Sequence, residues 1–331
     1  MGAIWYKRIE FAATMSELAG YKSGLALTRS QLAHHVPEFE EWLDGEDEEM
    51  IRIRAEDVED LFGNLLYALG SANKPGISIP SIALYHKYKA NPASLRLYEN
   101  VMQLFIDWGK NQQGGPLDIT QFIELARKTL SPEGLLMALE FVRETLDALH
   151  KRPWNAYRKV EWDDATELAG LFDSEKLGSG HGRFFDQRFV DYLSRNFESV
   201  DRINWRQFEG LAAEFFDRAG FKVQLGAGRN DDGVDLRVWR SDDPLESPPA
   251  LLIQCKRQRE KVGKVVVKAL WADVSHEDAD SGLIVTTSAL SPGARRVCTA
   301  RAYPVTEVNR ETIKRWIWAM RTPEAGVFMG E

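Results

Sequence analysis

Residues Ala250-Leu-Leu-Ile-Gln-Cys-Lys256 form a nearly continuous apolar run that ends in a charged side chain. Such a run is typical of a strand that is buried on both faces, in the middle of a sheet. Gln254 and Lys256 are two positions apart, so their side chains lie on the same face of this strand. A lysine so soon after a core strand indicates that the strand ends in a cleft.

The segments around this strand complete an α/β pattern. Apolar residues recur at helical spacing from Trp205 to Ala219, and two shorter runs before residue 240 have the composition of strands. Strands and helices then alternate as far as Met320, which predicts a mixed sheet covered by helices. The predicted elements are a helix at 205–219, strands at 221–225, 233–239 and 250–256, a helix at 264–274, a strand at 281–287, a helix at 291–301, a strand at 303–308 and a helix at 310–320.

The first 150 residues have a different pattern, because their apolar residues follow helical spacing and no strand-like alternation persists. A chain of 331 residues exceeds the usual size of one hydrophobic core, so about two domains are expected. The predicted fold class is α plus α/β, with an all-helical domain first. The predicted boundaries are a helical domain at 1–175, a linker and connecting helix at 176–200, and the α/β domain at 201–331.

The composition is that of a globular protein, with 44% hydrophobic and 28% charged residues. These values exclude a disordered or fibrous chain. No apolar run reaches the ~20 residues of a membrane span, and the N-terminus lacks the apolar core of a signal peptide. The two cysteines, Cys255 and Cys298, are too few for a disulfide framework. We therefore expect a cytoplasmic protein with no membrane partner.

The formal net charge is −8, but the acidity belongs to the front of the chain. Residues 1–200 carry 22 Lys and Arg against 31 Asp and Glu, whereas residues 201–331 carry 20 against 19. The acidic run from Asp44 to Glu49 would repel DNA, so it favours contacts with a second copy of the chain or with another protein. Between 256 and 268 there are six basic residues and one acid, a local patch that attracts polyanions.

Four polar side chains fall at positions that suit one chemistry. Glu209 lies on the first predicted helix of the α/β domain, Asp235 on its second strand, and Gln254 with Lys256 at the end of the third. Carboxylates hold Mg²⁺ through oxygen, the metal activates water, and a lysine offsets charge at a phosphoryl group. Taken singly, Asp235 also suits a strand edge and Glu209 a solvated helix surface. The joint pattern favours phosphodiester hydrolysis.

Four spaced motifs carry this pattern: Phe208-Glu-Gly-Leu-Ala, Ala219-Gly-Phe-Lys-Val, Gly226-Ala-Gly-Arg-Asn-Asp-Asp-Gly-Val-Asp-Leu236 and Gln254-Cys-Lys-Arg257. Together they resemble the Mrr-type restriction endonuclease domain, a branch of the PD-(D/E)XK nucleases that has Asp plus Gln-X-Lys. The resemblance covers about 204–318. It implies that Asp235 and Lys256 are the catalytic pair, with Gln254 at the third position and Glu209 as the helix acid.

From this resemblance we expect Mg²⁺, or Mn²⁺ in its place, held by Asp235, Glu209 and the backbone carbonyl of Cys255. DNA is the expected partner. Basic side chains just beyond the motif strand are expected to contact its phosphates, and the alternative is an ordinary solvated helix face. The residues expected to bind DNA are Arg257, Arg259, Lys261, Lys264 and Lys268.

The sequence thus predicts a metal-dependent DNA endonuclease of restriction or anti-phage defence, controlled or targeted by the helical domain. Two alternatives stay open: a DNA-binding or assembly subunit that does not cut, and an RNA-directed or structure-specific nuclease on the same fold. The front 200 residues do not resemble the winged-helix module that often precedes such domains. The helical domain is therefore either a sensor or oligomerisation module, or a module that binds a modified base or a small effector.

Overall fold

The computed structural model describes residues 2–111, 118–154, 162–178, 180–228 and 233–321. The predicted turn at 112–116 and residues 229–232 of the motif that ends at Leu236 lie outside the described residues. Within the described ranges, no helix combines the length and the apolar character needed to cross a membrane.

The N-terminal region is mainly helical, which confirms the prediction, and it also contains two small sheets that the sequence did not indicate. Its elements are β1 (Ala3–Lys7), α1 (Arg8–Ser23), β2 (Leu25–Ala26), α2 (Arg29–His35), α3 (Glu40–Leu43), β3 (Met50–Arg54), α4 (Ala55–Ala68), α5 (Pro80–Tyr88), α6 (Pro92–Lys110), α7 (Ile119–Thr129), α8 (Pro132–Lys151), β4 (Thr166–Glu167) and α9 (Gly170–Asp173).

The two small sheets were missed because their strands are short. β1 pairs with β3 in an antiparallel ladder of five residue pairs, and β2 pairs with β4 in a parallel ladder of two. In β3 the alternation is real, since Ile51 and Ile53 are buried and their neighbours are exposed. Five residues are too few for this period to stand out against the helical pattern on both sides.

The C-terminal region closely follows the predicted order of helices and strands. Its elements are α10 (Gln187–Arg195), α11 (Trp205–Arg218), β5 (Lys222–Leu225), β6 (Leu236–Trp239), β7 (Leu251–Lys256), α12 (Lys264–His276), β8 (Ser281–Thr286), α13 (Pro292–Ala300), β9 (Val305–Val308) and α14 (Arg310–Met320).

The five strands β5 to β9 form one sheet in sequence order. The pairs β5–β6 and β6–β7 are antiparallel, whereas β7–β8 and β8–β9 are parallel, so the sheet is mixed as predicted. Apolar residues of α11 and α14 cover one face, and apolar residues of α12 and α13 cover the other. β7 is the middle strand and is buried on both faces, which explains its continuous apolar run.

Two apolar clusters organise the N-terminal region. Helices α5 to α8 enclose a cluster of their own, in which Phe105 packs edge-on against Phe122 and Phe141. Helices α1 and α4 instead share a cluster with α10, α11 and α14. This second cluster crosses the predicted boundary at 176–200 and joins the N-terminal region directly to one face of the five-stranded sheet.

The segment from Ser174 to Phe185, which we call the strap, lies along α11; residue 179 within it is not described. The buried side-chain amide of Gln207 donates hydrogen bonds to the carbonyls of Ser174 and Lys176, at 3.1 and 2.7 Å. The buried carboxylate of Glu214 accepts from the backbone N–H groups of Phe184 and Phe185, at 2.8 and 3.2 Å. Two turns of α11 therefore hold a segment whose glycine-rich sequence had indicated a linker.

Gly210 lies between these two polar contacts and lets the strap approach the helix backbone. A Cβ at this position would lie 2.7 Å from the carbonyl oxygen of Phe184 and 2.8 Å from Cδ2 of Leu177. We therefore expect Gly210→Ala to lower the free energy of unfolding by about 1–3 kcal/mol, as overpacked sites do. Urea denaturation measures this change.

The matched control is Gly109→Ala near the end of α6, where a Cβ would meet nothing within 4 Å. There the higher helix propensity of alanine should raise the unfolding free energy by about 0.5–1 kcal/mol. Equal effects of the two substitutions would show that the strap does not press on α11.

Candidate active site

Asp235 immediately precedes β6, so the strand begins slightly later than the sequence indicated. Its side chain is buried, and its Oδ2 accepts a 2.6 Å hydrogen bond from the backbone N–H of Cys255 on β7. Its own backbone N–H donates to the carbonyl of Ile253 at 2.9 Å. The carboxylate is therefore fixed beside the middle strand, next to the Gln-X-Lys motif.

Gln254 is buried within that motif, and its Oε1 has no hydrogen-bond partner among the described residues. Its Nε2 lies only 3.2 Å from where a Cβ of residue 233 would be, and Gly233 has a φ of +89°. Glycine suits this position because its backbone tolerates positive φ and leaves room for the amide. A buried amide oxygen without a donor costs free energy, which indicates a purpose other than stability.

Lys256 ends β7 and is half-buried, as expected for a lysine at the mouth of a core strand. Its carbonyl accepts a 2.7 Å hydrogen bond from the hydroxyl of Thr286 at the end of β8. This bond fixes the end of the strand that carries the lysine. The side chain lies on the same face as Gln254, because the two residues are separated by one position of a regular strand.

Glu209 is buried on α11, whereas the sequence placed it at the margin of the apolar face. Its Oε2 accepts from Nη1 of Arg206 at 2.7 Å, and Nη2 of Arg206 donates to the carbonyl of Gly226 at 2.8 Å. Arg206 thus ties α11 to the loop that leads to Asp235. Arg206 is not among the predicted site residues, although its spacing of three from Glu209 on a helix is a signal for an ion pair.

The thiol of Cys255 is affected by three charged residues of the predicted site. Burial raises the pKa of its thiol well above the usual value, and the charges of Asp235 and Glu209 raise it further, while Lys256 acts in the opposite sense. The charges of Asp235, Glu209 and Lys256 therefore all act on Cys255. The thiol itself is part of the apolar cluster under α11 and is not a nucleophile at neutral pH.

The side chains present suit a hard cation. No group of three or more His, Cys, Asp or Glu side chains with metal-binding geometry occurs in the described ranges. The oxygen donors of the predicted site are the carboxylates of Asp235 and Glu209 and the amide oxygen of Gln254, and Mg²⁺ and Mn²⁺ prefer such oxygen ligands. The buried Oε1 of Gln254 is the observation that fits best, because a cation would provide its missing partner.

The predicted DNA-contacting residues lie on the surface just beyond β7. All five are exposed, and Lys264 and Lys268 are one turn apart on α12. The guanidinium of Arg257 donates to the carbonyl of Asp201 at 3.0 Å, which fixes its direction. Arg259, Lys261, Lys264 and Lys268 form no ion pair with any other described residue, so their positive charge is available to an external anion.

A known family resembles the C-terminal region. Residues 200–317 match the Mrr-type catalytic family model, described as "Restriction endonuclease". The prediction of a restriction-endonuclease-type domain in the C-terminal third is confirmed, and the match supports the prediction of an endonuclease. Domains of this type generally use divalent metal ions.

Two further proteins are similar over part of their length. "Uncharacterized protein y4cE" of Sinorhizobium fredii (strain NBRC 101917 / NGR234) is 28% identical over 152 residues, which are 46% of this chain and 36% of that protein. The structure titled "MspJI Restriction Endonuclease in Complex with 27-mer Oligonucleotide" is 17% identical, with a TM-score of 0.28, and covers 63% of this chain and 46% of that one. The chain thus spans less than half the length of either protein.

Two buried glutamines provide a test of the site. We expect Gln254→Met to leave the free energy of unfolding unchanged or to raise it by up to about 1 kcal/mol, because it removes a buried oxygen without a donor. Gln207→Met should lower that free energy by about 1–3 kcal/mol, because two strap carbonyls lose their donor. Urea denaturation in the presence of a chelator measures both. Equal losses would show that the amide of Gln254 serves the fold.

Proposed function

We propose that this protein is a metal-dependent endonuclease that hydrolyses phosphodiester bonds in DNA, in restriction or anti-phage defence. The observation that carries the proposal is the fixed carboxylate of Asp235 beside the Gln254-Cys-Lys256 motif at the end of a buried strand, within a domain that matches restriction endonucleases. Carboxylates, an amide oxygen and one cation suit phosphoryl chemistry, whereas no described thiol or imidazole is placed to act as a nucleophile.

In the proposed mechanism, Asp235 and the Oε1 of Gln254 would hold the divalent ion, and Glu209 and the backbone carbonyl of Cys255 would be further ligands. When bound, Mg²⁺ or Mn²⁺ polarises a phosphoryl oxygen and lowers the pKa of water. The hydrogen bond from Cys255 N–H keeps the carboxylate of Asp235 in one orientation. Arg206 keeps Glu209 beside the loop before Asp235, so that neither carboxylate has to be ordered during the reaction.

Lys256 supplies a positive charge where negative charge develops on the phosphoryl oxygens. Its ammonium group also orients the attacking water, whose oxygen bonds to phosphorus as the bond to the leaving oxygen breaks. The attacking water gives up a proton to solvent, and the leaving oxygen takes up a proton from solvent. Because the strand end is partly closed to solvent, the effect of this charge on the transition state exceeds its effect in bulk water.

The N-terminal region is proposed to control or target cutting. Its α1 and α4 share an apolar cluster with α11, and the strap binds α11 over two turns. The same helix carries Glu209 and Arg206. A change in the N-terminal region therefore has a direct mechanical connection to the proposed site.

Lys256→Ala should lower the cutting rate by about 10²-fold or more while DNA binding stays nearly unchanged, because the lost charge acts mainly in the transition state. Asp235→Asn should be similarly inactive, and excess chelator should stop the wild-type protein. Nicking and linearisation of plasmid DNA with Mg²⁺ or Mn²⁺ measure these rates. The control is Lys110→Ala, an exposed lysine on α6, which should cut normally.

Cutting by Lys256→Ala at the wild-type rate would contradict the proposed mechanism. Wild-type protein that binds DNA but never cuts it would favour the assembly subunit. Cutting confined to RNA or to branched DNA would favour the other nuclease classes.

DNA binding should weaken steeply with salt, because counterions are released from the phosphates. If Lys261, Lys264 and Lys268 each contact a phosphate, replacing all three with alanine should flatten the slope of log K against log salt by about 2 to 3. Fluorescence anisotropy with duplex DNA in chelator measures the slope. A matched triple substitution of Lys89, Arg96 and Lys110 on the α5–α8 bundle should leave it unchanged. An unaltered slope in the first variant would place the DNA elsewhere.

A further inference from the structure

A cavity of about 560 Å³ lies where the N-terminal region meets the segment that leads into α11. We call it the junction cavity. One wall is the face of α2 that carries His34 and His35, and another is Phe172 of α9. Tyr192 of α10 and Arg202, from the turn before α11, close the remaining sides. Ligand pockets of drug-sized molecules span about 300–1,000 Å³, so the size suits a small organic ligand.

The inner wall of the junction cavity is aromatic. Tyr192 is 2% exposed, and it receives the edge of Phe172 at a centroid distance of 6.4 Å and that of His35 at 5.5 Å. Burial and the neighbouring His34 lower the pKa of His35 to about 4, so its ring is neutral at neutral pH. A neutral imidazole beside two aromatic rings offers a surface for a planar group rather than a site for a free cation.

The opposite side of the cavity is basic. Arg202 is exposed and forms no ion pair with any other described residue, and its charge lowers the pKa of the Tyr192 phenol against the larger effect of burial. His34, also exposed, lines the same space. An arginine without an acidic partner, next to an aromatic wall, can bind a phosphate group, because its N–H groups donate hydrogen bonds to the phosphate oxygens. Asp173 is the acid among the lining residues, and it too is exposed.

A larger groove of about 910 Å³ on the other side of α2 lacks this combination. Its arginine, Arg29, is already paired with Asp47, and Glu40, Glu41 and Asp44 line the same space. An anionic ligand would be repelled there. The junction cavity is therefore the better site for an anion of the two.

We propose that the junction cavity binds a nucleotide, with the base against the wall formed by Tyr192, Phe172 and His35 and the phosphate at Arg202 and His34. The planar base of the nucleotide suits the aromatic wall, and its anionic phosphate suits the arginine that has no ion pair with another described residue. Ser30 and Gln31 add hydroxyl and amide groups that can bind the sugar or the edges of the base. A simple inorganic anion would leave the aromatic wall without a partner. This site lies outside the proposed active site and does not depend on its activity.

The position of the cavity gives the ligand a role in joining two parts of the chain. Arg202 is three residues before the start of α11, and the preceding Asp201 binds Arg310 through its carboxylate and Arg257 through its carbonyl. A nucleotide held between α2 and Arg202 would therefore connect the N-terminal region to the helix of Glu209 and to the basic residues just beyond β7. The nucleotide is either a free effector or one unit of a nucleic acid strand.

Isothermal calorimetry of the full chain in chelator tests the proposal, because cutting cannot occur under these conditions. The probes are the four nucleoside 5′-monophosphates, the matching nucleosides, inorganic phosphate and a short single-stranded oligonucleotide. We expect at least one monophosphate to bind about tenfold or more tightly than its nucleoside or phosphate alone. Arg202→Gln and Phe172→Ala should each weaken that binding about tenfold or more. Arg96→Gln, an exposed arginine on α6, is the control and should bind normally.

Titration with the oligonucleotide distinguishes a free nucleotide from one unit of a nucleic acid strand. It uses the variant with Lys261, Lys264 and Lys268 replaced by alanine, so that binding to the basic residues beyond β7 is suppressed. Binding of the oligonucleotide that depends on Arg202, without binding of monophosphates, assigns the cavity to a strand; the reverse assigns it to a free effector. The absence of any Arg202-dependent binding at millimolar concentration overturns the proposal. Thermal unfolding of each variant shows whether a loss of binding reflects a loss of fold.

Discussion

Helix α11 is buried along most of its length, and the packing of the segments around it depends on this burial. Its apolar side packs on the five-stranded sheet together with α14. Its polar side chains are also buried, with Gln207 at 3%, Glu209 at 5% and Glu214 at 3% exposure. Each of these groups must find a partner inside the protein, since an unpaired buried charge is costly. The partners include backbone groups of the strap and two arginines of α11 itself, and one of these, Arg206, also binds the loop after β5. One helix therefore holds both the strap and that loop.

The buried acids are satisfied in different ways, and the differences indicate their roles. Glu214 binds two backbone N–H groups of the strap and the side chain of Arg218, which is a structural arrangement. Glu209 is bound by Arg206, and the Oδ2 of Asp235 by the N–H of Cys255. Gln254 is the exception, because its amide oxygen has no donor in the described ranges. A group that costs stability beside the fixed carboxylate of Asp235 is what a binding site for a cation would contain.

The sequence predicted the C-terminal region well because its strands are apolar, its helices carry clear apolar faces and its motifs occur in a specific order. Strand spacing placed Gln254 and Lys256 on one face, and the resemblance to the Mrr-type domain added Asp235 to the same predicted site. The spacing of Arg206 and Glu209 suits an ion pair on a helix, but the sequence could not show that Glu209 is buried or that Arg206 also binds the loop after β5. The strap was missed for a related reason: glycine-rich sequence is typical of linkers, and only the three-dimensional structure shows that Gly210 allows close backbone packing.

The apolar cluster shared by α1, α4 and α14 also has a consequence for synthesis of the chain. Residues of α4 leave the ribosome about 250 residues before those of α14, which at about 5–20 residues per second is an interval of tens of seconds. During this interval the apolar faces of α1 and α4 have no covering helix from the C-terminal region. Exposed apolar faces of this kind make a nascent chain prone to aggregation. The shared cluster is complete only after α14 has been synthesised.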